Sequence, residues 1–328
     1  MNPSTATLKV SVSPHIRSVD NISRIMYSVI AALMLPLVGA VYFYGWCALW
    51  LTLSGIVGAV LAELIVNLIQ RKFTITDGSA IITGILVAFN VPPGAPWWLP
   101  FAGSIFAILV AKAPFGGLGH NILNPALAGR AFLMASWPNF MTKGWLAPIR
   151  PAGSTISGVA TITTATPLGV AKLQPNLASM LNTPAALKAM FIGNIGGVVG
   201  ETSALLILVA ALPLIFKKYI DWRIPVFYVG TVFVLTGILY EFGVTPLSPL
   251  AHILAGGLFL GAFFMATDMV TSPVTRKGKI IFAIGCGIIT VAIRIWGGYP
   301  EGVSYSILLM NIVTPLIDRK VKPRRFGT

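Results

Sequence analysis

What most constrains this chain is a succession of apolar stretches, each divided from the next by a short polar or turn-forming break. A bilayer core about 30 Å thick takes roughly 20 residues of helix, because backbone N–H and C=O groups in lipid have to bond within their own segment. Segments at about 25–43, 46–69, 79–92, 97–113, 122–137, 202–217, 224–241, 250–267, 279–296 and 302–317 meet or approach that length. Only 10% of the 328 residues are charged and 56% are hydrophobic, where a soluble domain carries about 25% charged residues, so a soluble enzyme is excluded. The third segment is short. Its entry at Thr76-Asp77-Gly78-Ser79 and its exit at Val91-Pro92-Pro93-Gly94 suit a half-helix inside a protein.

Charge sets the orientation. The net charge of +14 alone would suit nucleic acid, but every basic stretch adjoins an apolar run of membrane length, so the charge reports topology and no nucleic-acid partner is expected. With both termini cytoplasmic, the cytoplasmic segments hold most of the Lys and Arg, as the positive-inside rule requires. The set runs from Lys9, Arg17 and Arg24 through Arg71, Lys72, Lys112, Lys217, Lys218, Arg223, Arg276, Lys277 and Lys279 to the tail after 317. Lys143, Arg150, Lys172 and Lys188 lie in one long loop, where the rule has little force. The first 24 residues lack the short apolar core of a secretory signal, so the first span is expected to remain as an anchor. Cys47 and Cys286 sit singly in apolar segments and read as packing residues.

The expected architecture is an all-α polytopic membrane protein of ten transmembrane helices in two inverted five-helix repeats. Five spans on each side of the long loop put the second half upside down relative to the first. The expected divisions are a cytoplasmic tail (1–24), a first repeat (25–137), an extracytoplasmic loop (138–201), a second repeat (202–317) and a basic cytoplasmic tail (318–328). The loop is rich in Thr, Ser, Gly, Ala and Pro, too short for its own core, and is expected to fold against the membrane domain.

Within that loop stands Thr163-Thr164-Ala165-Thr166-Pro167-Leu168-Gly169. Further blocks are Ser13-Pro14-His15, Asp77-Gly78-Ser79-Ala80, Gly116-Gly117-Leu118-Gly119-His120-Asn121-Ile122-Leu123-Asn124-Pro125 through Gly129-Arg130, Gly193-Asn194-Ile195-Gly196-Gly197 through Glu201, and Asn311 through Pro315-Leu316-Ile317-Asp318. On these blocks the chain resembles the family of membrane subunits that includes the D subunit of the Rnf complex and the B subunit of the sodium-pumping NADH:quinone reductase. The short N-terminal tail is closer to the Rnf subunit. The resemblance implies FMN held by a phosphoester on Thr166, the last residue of a Ser/Thr-Gly-Ala-Thr motif in which Thr164 here replaces the glycine. It implies a flavin transferase that attaches FMN from FAD, and partner membrane and iron–sulfur subunits in the inner or plasma membrane. It also implies electron flow between ferredoxin and NAD⁺ coupled to Na⁺ or H⁺ transport, with no catalysis by this chain alone.

The run from Gly116 to Arg130 has no strand before it and is therefore neither a dinucleotide fingerprint nor a phosphate loop. Asn121, Asn124 and Arg130 offer amide and guanidinium donors near a helix start, and the resemblance suggests them for a second, noncovalent riboflavin. Tight helix packing through small residues explains the same run. Among nine acidic residues, Glu63, Asp77, Glu201, Glu241 and Asp268 lie within or beside spans, where an ionisable group costs roughly 2.5–3.5 kcal/mol at the centre and invites a functional role. Asp77 and Asp268 adjoin breaks in the apolar pattern and are the ion-coupling candidates; helix capping at Asp77 and a helix-end turn at Asp268 are the plainer alternatives. Arg294, beside Trp296, is expected to snorkel to the interface. Trp97, Trp98, Trp137 and Trp145 are placed on an aromatic belt. No metal site is expected. A channel or permease for a small polar solute fits the inverted repeat and broken spans as well.

Overall fold

The computed structural model describes residues 20–71, 74–146, 148, 166–173, 175–201, 203–299 and 301–322. Ser13-Pro14-His15, Thr163, Thr164 and the last basic residues of the tail fall outside them. The first half comprises α1 (Ile22–Tyr44), α2 (Trp46–Gln70), α3 (Ser79–Phe89), α4 (Trp98–Phe106), α5 (Pro125–Ser136) and α6 (Pro138–Lys143). Short helices α7 (Pro167–Leu173), α8 (Pro175–Ala178) and α9 (Pro184–Ile192) follow. The second half contains α10 (Ala204–Phe216), α11 (Arg223–Glu241), α12 (Pro249–Leu254), α13 (Leu258–Leu260), α14 (Arg276–Trp296) and α15 (Val303–Lys320). The described residues hold no strand.

Five helices, Ile22–Tyr44, Trp46–Gln70, Trp98–Phe115, Arg223–Glu241 and Arg276–Trp296, are long and apolar enough to cross a bilayer. The chain is a polytopic membrane protein. The third of these is α4 extended through a π turn at Ala107–Lys112 and a 3₁₀ turn to Phe115. At 11 residues, α3 spans only about 16 Å at 1.5 Å per residue, too little for a bilayer alone.

One start signal recurs. Asn124-Pro125, Thr183-Pro184 and Ser248-Pro249 each put a capping side chain before a proline, whose missing N–H costs nothing in the first turn. Asn124 Oδ1 accepts from the Ala126 and Leu127 amides at 3.0 and 3.4 Å, and Ser248 Oγ from the Ala251 amide at 3.3 Å. Thr166-Pro167 opens α7 in the same way, with Oγ1 accepting from the Gly169 amide at 3.2 Å.

Small residues let the helices close on one another, since lipid provides no hydrophobic drive for helix association. A Cβ on Gly55 of α2 would stand 2.6 Å from the Gly84 carbonyl of α3, and one on Gly84 the same distance from that of Gly55. α2 packs on α3 and α4, while α11 packs on α12 and α14; α1 lies against α10 and α5 against α15. One core joins both halves, with Leu33, Tyr44, Phe89, Leu127, Tyr228, Phe264 and Phe282 in it. A second, smaller core of Leu168, Met190, Leu247, Ala251 and Ala255 seats α7 and α9 on α12.

Between α12 and α13 the helix breaks at Gly256 and Gly257, which adopt φ of 65° and 53°, a region glycine enters freely. After α13 the chain makes a second π turn over Gly261–Met265.

Candidate functional site

The break leaves carbonyls at the end of α12 without helical partners. Arg294 of α14 takes them: its guanidinium donates to the carbonyls of His252, Ala255 at 3.1 Å and Gly256 at 2.8 Å. It is buried, not turned to an interface as its place beside Trp296 suggests. A helix ahead of it uses its charge, which sequence spacing does not reveal.

Arg130 of α5 is also buried. Its Nη1 donates to Asn90 Oδ1 at 2.7 Å, its Nη2 pairs with Glu301, and Glu201 Oε1 stands 4.0 Å from Nη1. Arg130, Asn90, Glu301, Trp145, Tyr299 and Tyr305 line a cleft. Lys172 of α7 donates to the carbonyls of Gly297 and of Tyr299, the latter at 3.2 Å, which ties the Thr166 helix to the rim of this cleft. Thr166 itself is 4% exposed.

Asn121 and Asn124 face a different cleft, together with Ser79, Lys112, Tyr219 and Asp268. The trio Asn121, Asn124 and Arg130 is thus divided between two cavities. Asn124 is doubly used, because Nδ2 donates to the Met265 carbonyl at 3.1 Å, next to the π turn where the regular helical pattern ends. Asp268 accepts from the Val270 amide at 3.3 Å and the Thr271 hydroxyl at 3.2 Å, as a helix-end turn does. Asp77 accepts from the Ser79 amide at 2.8 Å and its hydroxyl at 2.6 Å, in a turn across Gly78, which itself holds the N-cap position. The helix-end turn describes the geometry of Asp268, Asp77 stands one residue before the cap, and Ser79 joins Asp77 to the cleft that Asp268 lines.

Behind that cleft lies a buried ion pair. Lys112 Nζ sits 2.7 Å from Glu63 Oε2 and 2.7 Å from Ser79 Oγ, and Thr74 Oγ1 donates to Glu63 Oε1 at 2.9 Å. Lys112 counts as a loop cation in the sequence, yet the π turn carries it inward. Glu301 carries no apolar-span signal because it stands in the short polar stretch between the last two apolar segments; an acid in such a break was the available clue. Glu241, by contrast, is exposed.

Comparison with known proteins decides the family. The family model described as NQR2, RnfD, RnfE matches residues 9–327. The chain belongs to that family. The D subunit of the proton-translocating ferredoxin:NAD(+) oxidoreductase complex of Clostridium ljungdahlii is 50% identical, over 97% of this chain and 96% of that protein. The D subunit of the Na(+)-translocating ferredoxin:NAD(+) oxidoreductase complex of Acetobacterium woodii is 46% identical, over 98% and 95%. The D subunit of an ion-translocating oxidoreductase complex of Stutzerimonas stutzeri is 39% identical, over 94% and 93%.

Proposed function

We propose that this chain is the D-type membrane subunit of an ion-translocating ferredoxin:NAD⁺ oxidoreductase and relays electrons through FMN esterified to Thr166. The observation that carries the reading is identity of 46–50% along nearly the whole length to subunits of that name. Two such relatives are named for different ions, protons and Na⁺, so the likeness does not choose between them.

The residues at Thr166 suit a phosphoester. The hydroxyl already accepts from the Gly169 amide, a role an ester or phosphate oxygen keeps, and residue 169 has no side chain to crowd it: a Cβ there would stand 3.1 Å from Oγ1. Bound there, FMN would supply one-electron chemistry, and the protein's part is to fix its position and surroundings. The described fold supports ten spans in two inverted halves. α1 meets α10 and α5 meets α15, while α2 and α11 each hold the helices that follow them. In that arrangement α7 to α9 lie on the outer face, both termini are cytoplasmic and the membrane is the inner or plasma membrane. Asn121 and Asn124 line the cleft suited to a noncovalent riboflavin, and Asp77 and Asp268 border it as ion-coupling candidates. Other membrane and iron–sulfur subunits and a flavin transferase are the partners.

In-gel flavin fluorescence of the denatured chain, co-expressed with a flavin transferase, tests this. Thr166→Ala is expected to lose the fluorescent band while still inserting. A band that survives moves the bond to another hydroxyl, and no band in the unmodified chain favours a solute channel instead.

A further inference from the structure

Four buried charges meet where the two halves join, and none belongs to the flavin attachment or to the Asp77–Asp268 cleft. Arg130 comes from α5, Arg294 from α14, Glu201 from the turn before α10 and Glu301 from two residues before the start of α15. The Glu201 side chain is 6% exposed and lies so close to Gly257 that any Cβ there would overlap it. Its Oε1 makes no hydrogen bond, and neither does Glu301 Oε1. A buried carboxylate oxygen left unsatisfied is costly, so each of these atoms is a place where binding something is favourable.

Charge arithmetic says what binds. Two guanidinium groups balance two carboxylates, so the cluster is neutral with both acids ionised, and a metal cation would add charge beside two arginines. Both guanidinium groups are committed, Arg294 to three carbonyls and Arg130 to Asn90 and Glu301. The remaining titratable groups facing the cluster are Tyr44 of α1, Tyr228 of α11, His252 of α12 and Tyr305 of α15. Tyr44 is held by the backbone of Ile195 and Gly197, Tyr228 by Thr290 and Ser306, and His252 Nε2 by Thr245, while Tyr305 stacks on Tyr299. His252 Nδ1 is also without a partner, but the two carboxylates carry the negative charge of the cluster and bring two unpartnered oxygens to it.

Such a change has a route. Leu168, two residues past Thr166, packs against Gly256, and a Cβ on Gly256 would also meet Glu301 Cγ at 3.4 Å and Arg294 Nη2 at 3.6 Å. We propose that Glu201 and Glu301 form a proton-binding site between the two halves, filled when an electron arrives at the α7 end of the molecule. The electron comes from the preceding carrier of the complex and the proton from water, through the cleft that Glu301 lines. One carboxylate Oε1 gains an O–H bond and no bond breaks in the chain. Since an added negative charge is poorly screened in a buried site, the neutral cluster regains its balance by taking one proton. The redox half of this proposal rests on the flavin reading; the titration half does not.

Infrared difference spectroscopy of the purified complex tests both halves. Acid titration is expected to raise a protonated-carboxyl C=O band, and to raise it at higher pH in the reduced complex than in the oxidised one. Glu201→Gln should remove at least half of it, Glu301→Gln should shift it, and Glu63→Gln should leave it unchanged. The same band should grow in reduced-minus-oxidised spectra. A band unaffected by both Glu201→Gln and Glu301→Gln, or absent, overturns the proposal, and so does a band that ignores the redox state in a complex whose flavin fluoresces in the gel. Should Glu201→Gln fail to assemble, Glu201→Asp keeps the acid and is expected to shift the band.

Discussion

Lys112 and Glu63 face each other 2.7 Å apart, with side chains only 4% exposed, although 49 residues separate them in the chain. Removing one partner of a buried pair leaves an uncompensated charge, which costs about 3–5 kcal/mol, whereas replacing both with uncharged groups is often near neutral. Lys112→Met is therefore expected to lower the thermal unfolding midpoint of the detergent-solubilised protein sharply. The double variant Lys112→Met with Glu63→Gln should recover most of that loss; additive losses would show that the two residues act independently.

Gly257 holds a left-handed conformation with the Glu201 carboxylate directly against it. Gly257→Ala meets both the strain of that conformation, about 1–3 kcal/mol, and the carboxylate. Gly230, within α11, has nothing within 4 Å of an added Cβ, and Gly230→Ala should be neutral or slightly stabilising. Denaturation curves of the two variants that coincide would refute the account of the break.

Asp77→Asn keeps an oxygen to accept from Ser79 and so retains the turn, while removing the charge. The expected result in the assembled complex is ion transport reduced more than electron flow, measured together in vesicles. Equal losses, or none, would assign Asp77 to the turn alone.

Asp221, between α10 and α11, accepts from the Arg223 amide at 3.1 Å and from Lys279 Nζ at 3.1 Å. Burial opposes its ionised form, but the Arg223 amide and the Lys279 ammonium outweigh burial and hold the carboxyl below the usual carboxylate range. A carboxyl depressed in the folded state contributes stability that is fully present above its unfolded value, near about 3.9, and is lost as pH falls through the folded one. Asp221→Asn should thus lower stability at neutral pH, by no more than about 1 kcal/mol for a partly solvated ion pair. The difference from the unmodified protein should shrink as pH falls below the ordinary carboxylate value and vanish once the folded-state carboxyl is itself protonated. A difference that persists there would place the effect in packing.

The amino-acid sequence by itself determined the class and most of the helix positions. Long, mostly apolar runs such as 46–69 leave a helix as the only backbone state in lipid, and Asn124-Pro125 or Ser248-Pro249 mark a helix start through local hydrogen bonding alone. It also showed Asp77 and Asp268 at breaks in those runs. What only the tertiary structure decided is which charges meet. Arg130 parts from Asn121 and Asn124 because one helix reaches two cavities, at its start and further along. Arg294 turns inward because α12 ends beside it, and Glu301 faces Arg130 across 171 residues of chain. A buried charge is fixed by partners that arrive from other helices, and the spacing of residues along one helix holds no record of them.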